Sequence, residues 1–389
     1  MKFRIFTAEY QSVIMKTKSI KVEYTCAEQC RSKSTQLISI LSQTLAGKMN
    51  LSRIKFFGMF ICALCKVQTV CFEKLACGFE SSAKATSSLR RIQRFMAQYA
   101  LDTDLIARLI FAMLPHKPPY RLAMDRTNWK FGETNINILA LTIIHDGISF
   151  PILFSMLNKR GNSNTDERIA LIDRYIKLFG KANIENLLGD REFVGEDWIA
   201  YLNTNKIKYY LRIRDNFYVQ DPRTKEQIKV SRKFENLQYG ECRVIDRKHL
   251  VNGQACYLSA SKIKNKEGKP ELQIIICFSK PHKAQQIYKE RWQIETAFKA
   301  LKSSGFNIED THLTDLKRIE RLFSIVMIAF AWSFVVGIYI HENIKPIRRL
   351  KHGHRAKSFV KYGLEAIANV LLNYLAKVKY DIFKILSCS

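Results

Sequence analysis

Residues 283–304 read KAQQIYKERWQIETAFKALKSS and decide the fold more than any other stretch of the chain. At about 100° per residue, a polar stripe and an apolar seam follow this segment. The polar stripe consists of Tyr288, Arg291, Glu295 and Lys302. The seam, roughly 70° away, consists of Ile287, Ile294, Phe298 and Leu301. The pattern predicts one helix from about Lys283 to Ser304, ending at Gly305, which docks on a sheet by its seam.

The charge of the chain indicates what it binds. Its 389 residues include 63 Lys plus Arg and 35 Asp plus Glu, a formal net charge of +28. So large a charge repels itself, and a polyanion that releases counterions on binding is its commonest partner, so we expect nucleic acid. The length predicts two or three domains, and 47% hydrophobic residues exclude a wholly disordered or collagen-like chain.

Two patterns leave alternatives open. Cys62 and Cys65 have the spacing of zinc ligands, but no second ligand pair is close by, so we favour cysteines that pack inside a helix. Leu322 to Ile340 contains no charge and approaches the length of a membrane span. It can equally be the central helix of a large domain, which we favour. Because residues 1–24 lack an unbroken apolar run, we expect a cytoplasmic, nucleoid-associated protein with no membrane partner.

The first third of the chain is helical in pattern. Residues 1–36 are an unassigned leader, and residues 37–115 are predicted to form a helical DNA-binding domain. Three arginines lie within Ser87–Phe95, where they form either a solvated face or a phosphate-binding face. Pro115, Pro118 and Pro119 end this domain.

After the prolines the period becomes strand-like. Residues 120–216 contain three predicted strands, a helix and a fourth strand that runs into Gly189-Asp190, which indicates a mixed α/β sheet. Residues 217–281 read as antiparallel hairpins and are predicted to be an all-β insertion. Residues 282–310 hold the quoted helix. Residues 311–389 are predicted to be a helical region with a basic, backbone-contacting patch around residues 345–361.

The polar stripe of the quoted helix has a recognisable spacing. Tyr288, Arg291, Glu295 and Lys302 fit Y-x2-R-x3-E-x6-K. Geometry alone leaves a salt-bridged surface as an alternative. The spacing resembles the signature of bacterial insertion-sequence transposases of family four, the cut-and-paste group with a DDE-type, ribonuclease-H-like catalytic domain. The resemblance covers about residues 37–304.

The resemblance implies two further carboxylates upstream. LAMDRTNW at residues 122–129 and LLGDR at residues 187–191 look like the first and second aspartate motifs of the family, which implies that Asp125, Asp190 and Glu295 are catalytic. Carboxylate oxygens suit hard Mg²⁺ or Mn²⁺, and three acids can hold two ions for phosphodiester hydrolysis. The expected function is therefore a transposase that cuts inverted-repeat ends and joins them to target DNA as a homodimer. A catalytically inactive repressor is the alternative.

The neighbouring side chains have expected roles in DNA binding. Arg291 suits a two-pronged phosphate contact, Lys302 a point charge and Tyr288 a hydroxyl donor. Arg191 is expected to contact DNA as well. Trp292 can stack on a base, but its place beside the apolar seam favours core packing. Asp146, Glu192 and Glu290 are expected to be structural or solvated carboxylates.

Overall fold

The computed structural model of the protein describes residues 33–114, 116–145, 147–265, 267–303, 305–351, 353–373 and 381–387. Residues 1–32 of the leader lie outside this part, as does Asp146.

One sheet organises the described chain. Its ten strands lie in the order β3-β2-β1-β4-β5-β10-β9-β8-β6-β7. They are β1 (Tyr120–Phe131), β2 (Thr134–His145), β3 (Ile148–Met156), β4 (Ile184–Gly189), β5 (Tyr209–Ile213), β6 (Tyr218–Gln220), β7 (Gln227–Lys229), β8 (Cys242–Val251), β9 (Gln254–Lys264) and β10 (Pro270–Cys277).

The first five strands have a ribonuclease-H-like arrangement. β1, β2 and β3 form an antiparallel meander, and β4 and then β5 add in parallel beside β1. Strands β2 and β3 are apolar and almost entirely buried, as expected where a sheet is covered on both faces. The predicted mixed α/β fold is therefore confirmed.

The hairpins predicted at residues 217–281 are present and continue the same sheet. β10 pairs antiparallel with β5 on one side and with β9 on the other, so the sheet passes from the meander into the hairpins without a break. The sequence predicted the strands but not this junction, because pairing between β5 and β10 depends on residues more than sixty positions apart.

Some helices cover the sheet, and others pack together beside it as a group that we call the helical body. α1 (Lys33–Leu45), α2 (Leu51–Val67), α3 (Phe72–Gly78), α4 (Ala85–Gln98) and α5 (Thr103–Ala112) precede the sheet. α6 (Thr165–Phe179) and α7 (Glu196–Thr204) connect strands β3 to β5. The start of α6 is fixed by a capping box, in which Asn164 and Glu167 each accept a backbone N–H of the other. Cys62 and Cys65 are buried within α2, as the packing interpretation predicted.

The long apolar run lies inside α10 (Leu316–Asn343), which begins at an Asp315 cap. This helix is long and apolar enough to cross a membrane, yet 94% of its most apolar window is buried inside the protein, as a central helix requires. It packs against α2, α5, α11 (Phe359–Leu372) and α12 (Ile382–Ser387). The N-terminal and C-terminal helical regions are therefore joined around one core helix.

The crossing of α10 and α11 depends on two glycines. A Cβ at Gly337 would lie 2.0 Å from the carbonyl oxygen of Phe359, and a Cβ at Gly363 would lie 1.8 Å from that of Ser333. Neither backbone can yield without separating the two helices, because the contact is between main chains.

We expect Gly363→Ala to lower the free energy of unfolding by at least about 2 kcal/mol, because the added methyl group overlaps backbone. Chemical denaturation measures this loss. Gly195→Ala is the control, since its Cβ would meet Thr165 Oγ1 only at 4.0 Å. Equal stability of the Gly363 and Gly195 variants would contradict the close crossing.

Candidate active site

Asp125 and Asp190 are placed by two neighbouring parallel strands. Asp125 lies within β1, and Asp190 directly follows the last residue of β4. The register of the two strands ends with Met124 opposite Gly189, so one further step brings Asp125 opposite Asp190. Residues opposite each other on parallel strands point to the same face, and strands lie about 4.8 Å apart. The sheet therefore sets the two carboxylates side by side.

Gly189 makes room for this arrangement. A Cβ there would lie 2.9 Å from Leu211 Cδ2 and 3.0 Å from Phe193 Cβ. A larger residue would displace β4 from its neighbours at the position just before Asp190. Sequence reasoning used Gly189 only as part of the motif, and its packing role needed the structure.

The charge of Asp125 is disfavoured by its surroundings. Burial, followed by repulsion from Asp190, raises the pKa of Asp125 to about 7, although Arg291 and the backbone N–H of Arg126 oppose the shift. A carboxyl pair of this kind is stabilised by a nearby cation. The site therefore favours cation binding.

The helix that carries Glu295 is broken, unlike the single helix predicted. α8 (Ala284–Tyr288) is followed by a 3-10 turn, Lys289–Arg291, and then by α9 (Trp292–Lys302). Two adjacent side chains tie this turn to β1, since Glu290 pairs with Arg121 and Arg291 pairs with Asp125. Such contacts join residues far apart in sequence, so periodicity did not predict the break. The buried seam of Ile294, Phe298 and Leu301 is as predicted.

Arg291 joins two of the three predicted catalytic acids. One terminal nitrogen lies 3.3 Å from Asp125 Oδ2, and the other lies 2.5 Å from Glu295 Oε1. Burial disfavours the charged guanidinium, but Tyr288, Glu295 and Asp125 outweigh burial, so the pKa of Arg291 is raised. A permanent positive charge therefore stands between β1 and α9.

The carboxylates provide the donors that a hard divalent ion prefers. In the described part of the chain, no group of three or more His, Cys, Asp or Glu side chains is arranged to hold a metal ion. The reason at this site is that the Arg291 guanidinium, and not a shared oxygen-lined space, lies between Asp125 and Glu295. Asp125 and Glu295 nevertheless share one cationic partner, and Asp190 lies next to Asp125. Oxygen donors of this type suit Mg²⁺ or Mn²⁺.

The sequence model of the transposase DDE domain matches residues 116–332, more than half of the chain. The chain belongs to the DDE-domain transposase family. It is therefore a DNA transposase, an enzyme of the nuclease and strand-transfer class. The matched residues run from just before β1 into α10 and include the three predicted catalytic acids.

Comparison with solved structures finds a piggyBac transposase in a synaptic complex with hairpin DNA, with a TM-score of 0.45 and 12% sequence identity. The similarity covers 87% of this chain and 77% of that one. No curated protein matches the chain.

Two signature residues of the transposase differ from expectation in their exposure. Trp292 is 57% exposed, so the predicted core packing was wrong. At about 100° per residue, Trp292 lies roughly 150° from the seam, on the opposite side of the helix. Tyr288 is buried, with 5% exposure, and burial raises the pKa of its hydroxyl to about 12. Its ring lies 5.9 Å from the Arg291 guanidinium carbon. Tyr288 thus supports Arg291 from within the protein.

Two expected phosphate-binding cations have partners within the transposase. Lys302 Nζ donates to the backbone oxygen of Asn128 at 2.9 Å and lies 2.9 Å from Glu309 Oε1. This contact fastens the end of α9 to β1. Arg191 is 47% exposed by side chain and pairs with Glu271 at 3.2 Å. Their roles in DNA binding remain predictions.

The two described alternative acids have partners within the protein, as expected of structural carboxylates. Glu290 pairs with Arg121, and Glu192 lies 2.6 Å from Arg126 Nε. Arg126 also donates to Asn137 and Asn162, so one guanidinium connects β1, β2 and the loops beside the site. Sequence reasoning missed this network. The available signal was that Arg126 follows Asp125 directly and Glu192 follows Asp190 by two residues.

The C-terminal basic patch is partly neutralised within the protein. Lys357 pairs with Glu365 at 2.5 Å, and the Arg355 guanidinium lies 4.2 Å from the centre of the Phe359 ring. Arg348 and Lys351 are exposed, while His352 lies outside the described residues. The patch as a DNA-binding surface stays a prediction.

We expect Asp125→Asn to raise the free energy of unfolding by roughly 1–3 kcal/mol at pH 8. Because the folded pKa of about 7 exceeds the ordinary value of 3.8, the folded state loses stability as the pH rises between those values. The amide carries no such loss, so the difference between variant and wild type should shrink toward pH 4. Chemical denaturation across pH 4–8 measures it.

Glu133→Gln is the control for loss of a carboxylate, since Glu133 is exposed in the turn between β1 and β2; the pH-dependent gain in stability should be confined to Asp125→Asn. A constant difference between Asp125→Asn and wild type at every pH would contradict the shifted pKa.

Proposed function

We propose that this transposase cuts the ends of its element by divalent-metal-dependent hydrolysis of phosphodiester bonds at Asp125, Asp190 and Glu295, and then joins the freed 3′ ends to target DNA. The observation that carries the proposal is the Arg291 guanidinium, which draws Asp125 of β1 and Glu295 of α9 to one point beside Asp190. Asp125 and Glu295 come from separate elements and share one cation, and the register of β1 and β4 places Asp190 next to Asp125.

The residues of the chain divide the work by their chemistry. Asp125, Asp190 and Glu295 would hold two Mg²⁺ or Mn²⁺ ions, which activate water and neutralise charge on the attacking and leaving oxygens. Arg291 holds Asp125 and Glu295 in place and can turn its free donors to a DNA phosphate. The buried Tyr288 ring lies against the Arg291 guanidinium. The exposed Trp292 ring offers a face on which a base can stack.

The narrower assignment to insertion-sequence family four rests on the spacing from Tyr288 to Lys302. Its support is that these residues lie on one short segment, α8 to α9, beside β1. This assignment implies three further properties of the transposase. They are a DNA hairpin intermediate, a homodimer assembled on DNA and a cytoplasmic, nucleoid-associated location.

Replacing Asp125, Asp190 or Glu295 with Ala is expected to abolish Mn²⁺-dependent nicking while leaving DNA binding within about twofold of wild type. Each replacement removes a metal ligand, worth several kcal/mol of transition-state stabilisation. Purified protein is incubated with DNA carrying the ends that flank its own gene, and nicks and hairpins are resolved on denaturing gels.

Glu235→Gln, which removes an exposed acid a few residues after β7, is the control for loss of a carboxylate and should nick normally. Unchanged nicking by any of the three Ala variants would remove that residue from the site. If wild-type protein binds the ends and does not nick them, the chain is instead a DNA-binding repressor.

Arg291→Gln is expected to strengthen Mn²⁺ binding in DNA-free protein by about fivefold, because the competing positive charge is removed from the carboxylates. The same change should slow nicking by about tenfold or more, since the glutamine cannot form a charged hydrogen bond with a phosphate. Calorimetric titration with Mn²⁺ and the gel assay measure the two effects.

Lys289→Gln removes an equal charge from a neighbouring exposed position and should change neither quantity by more than about twofold. Weaker Mn²⁺ binding by Arg291→Gln would contradict this prediction, because it would mean that placing the two carboxylates outweighs competition with the metal ion.

A further inference from the structure

A basic cavity lies between the two helical regions, away from the carboxylates. Its volume is about 770 Å³, and its lining includes Arg90, Arg94 and Ala97 of α4, Phe72 of α3, and Leu313 and Arg318 near the start of α10. We call the surface formed by Arg90, Arg94 and Arg318 the arginine groove. One wall comes from the N-terminal helices and the other from the C-terminal region.

The three arginines of α4 do not share one role. The Arg91 guanidinium carbon lies 5.9 Å from the centre of the Phe56 ring, so this side chain packs over the helical core. Arg90 and Arg94 are exposed and lie one helical turn apart on the side that faces Arg318. The structure thus separates one packing arginine from two that line the groove.

The charge of the arginine groove is not neutralised within the described part of the protein. None of the Arg90, Arg94 and Arg318 side chains has an ion pair or a hydrogen bond with the residues that the structure describes, whereas Arg121, Arg126, Arg174 and Arg291 all do. Three guanidinium groups that converge on one cavity repel each other unless an anion joins them. A planar guanidinium fits the oxygens of a phosphate with two donors.

The walls of the groove are fixed before anything binds. Arg321 of α10 donates a hydrogen bond to the backbone oxygen of Met96 in α4. Ile92 and Met96 are buried beneath the groove, which fastens α4 to the helical core. Side chains on preorganised helices lose less freedom on binding than those on mobile loops.

The groove lies within reach of DNA that occupies the active site. Strand β1 carries the chain about 20 Å from Asp125 to Phe131. The ring of His312 stacks on Phe131 at 5.1 Å, and the next residue, Leu313, lines the groove. Leu313, on the lining of the groove, therefore lies at most about 30 Å from Asp125 along this path, close to one turn of duplex DNA, about 34 Å.

We infer that the arginine groove binds the phosphate backbone of the duplex whose end lies at the carboxylates. The inference extends the proposed function, since it assigns to the same DNA a second contact about one helical turn from the cleavage position. The contact is to phosphate and carries no base specificity.

The test measures binding of the full-length protein to a fluorescent duplex of about 30 base pairs, roughly three helical turns, at several salt concentrations in EDTA. Arg90→Ala/Arg94→Ala is expected to weaken binding at least tenfold and to reduce the slope of log Kd against log salt by about 1.8, or about 0.9 for each phosphate that the variant no longer neutralises. Arg318→Ala alone should reduce the slope by about 0.9.

Arg223→Ala/Arg232→Ala is the matched control, because it removes the same charge from exposed positions near β7. Its slope should stay within about 0.5 of wild type. Equal slopes for the groove and control variants, or an unchanged slope for the groove variant, would overturn the inference. Unfolding midpoints equal to wild type establish that the variants fold.

The outcome is independent of cleavage, because EDTA removes divalent ions. Asp125→Ala measured in the same binding assay should keep the wild-type slope. A reduced slope in the groove variant alone supports the groove whatever the nicking assay gives. Normal nicking chemistry with an unchanged slope rejects the groove and leaves the proposed function standing.

Discussion

The contact of Arg291 with Asp125 and Glu295 is the interaction on which the site depends. Asp125 is buried beside Asp190, and two neighbouring carboxylates in a site of this kind do not ionise readily without a positive charge. Arg291 supplies that charge from a helix, and the contact also fixes where the helix crosses β1. The same ion pair therefore sets the electrostatics of the acids and the position of Glu295. A 3-10 turn, in place of a regular helical turn, lies at this contact.

The rest of the fold holds the two sides of this contact in place. Backbone pairing of β1 with β4 fixes the position of Asp125 within β1 and of Asp190 directly after β4. On the other side, the seam of α9 is buried, and Lys302 fastens the end of the helix to Asn128 of β1. Rigid elements with many buried contacts place charged groups more accurately than loops do, which suits chemistry on a phosphodiester.

Much of the fold and the candidate site followed from local sequence. Alternation of apolar residues predicted β1 to β4, and the turns predicted the hairpins of residues 217–281. Spacing placed Glu295 on the polar side of a helix whose seam is buried. The proximity of Asp125 and Asp190 came from family resemblance, and the register of β1 and β4 gives it a geometric basis.

What local sequence could not predict depends on contacts between distant residues. The 3-10 turn before Trp292 lies where Glu290 and Arg291 pair with residues of β1, and local sequence does not specify those contacts. The pairing of β5 with β10 joins the hairpins to the main sheet. Arg91 packs over Phe56 of α2 while Arg90 lines the groove, and the helical period of α4 does not specify which neighbours each side of the helix meets.

The connection between α9 and α10 links the site to the helical body mechanically. Asn307 donates to the backbone oxygen of Gln68 at 2.9 Å, and Asp310 accepts from Thr69 at 2.9 Å, so this segment is fastened to the end of α2. A few residues on, the same segment stacks on the end of β1 and reaches the arginine groove. Because α9 bears Glu295 and leads directly into this segment, displacement of the helical body would move Glu295 relative to Asp125. DNA bound at both the groove and the carboxylates would resist such displacement. Binding of the duplex would therefore help to keep Glu295 aligned with Asp125.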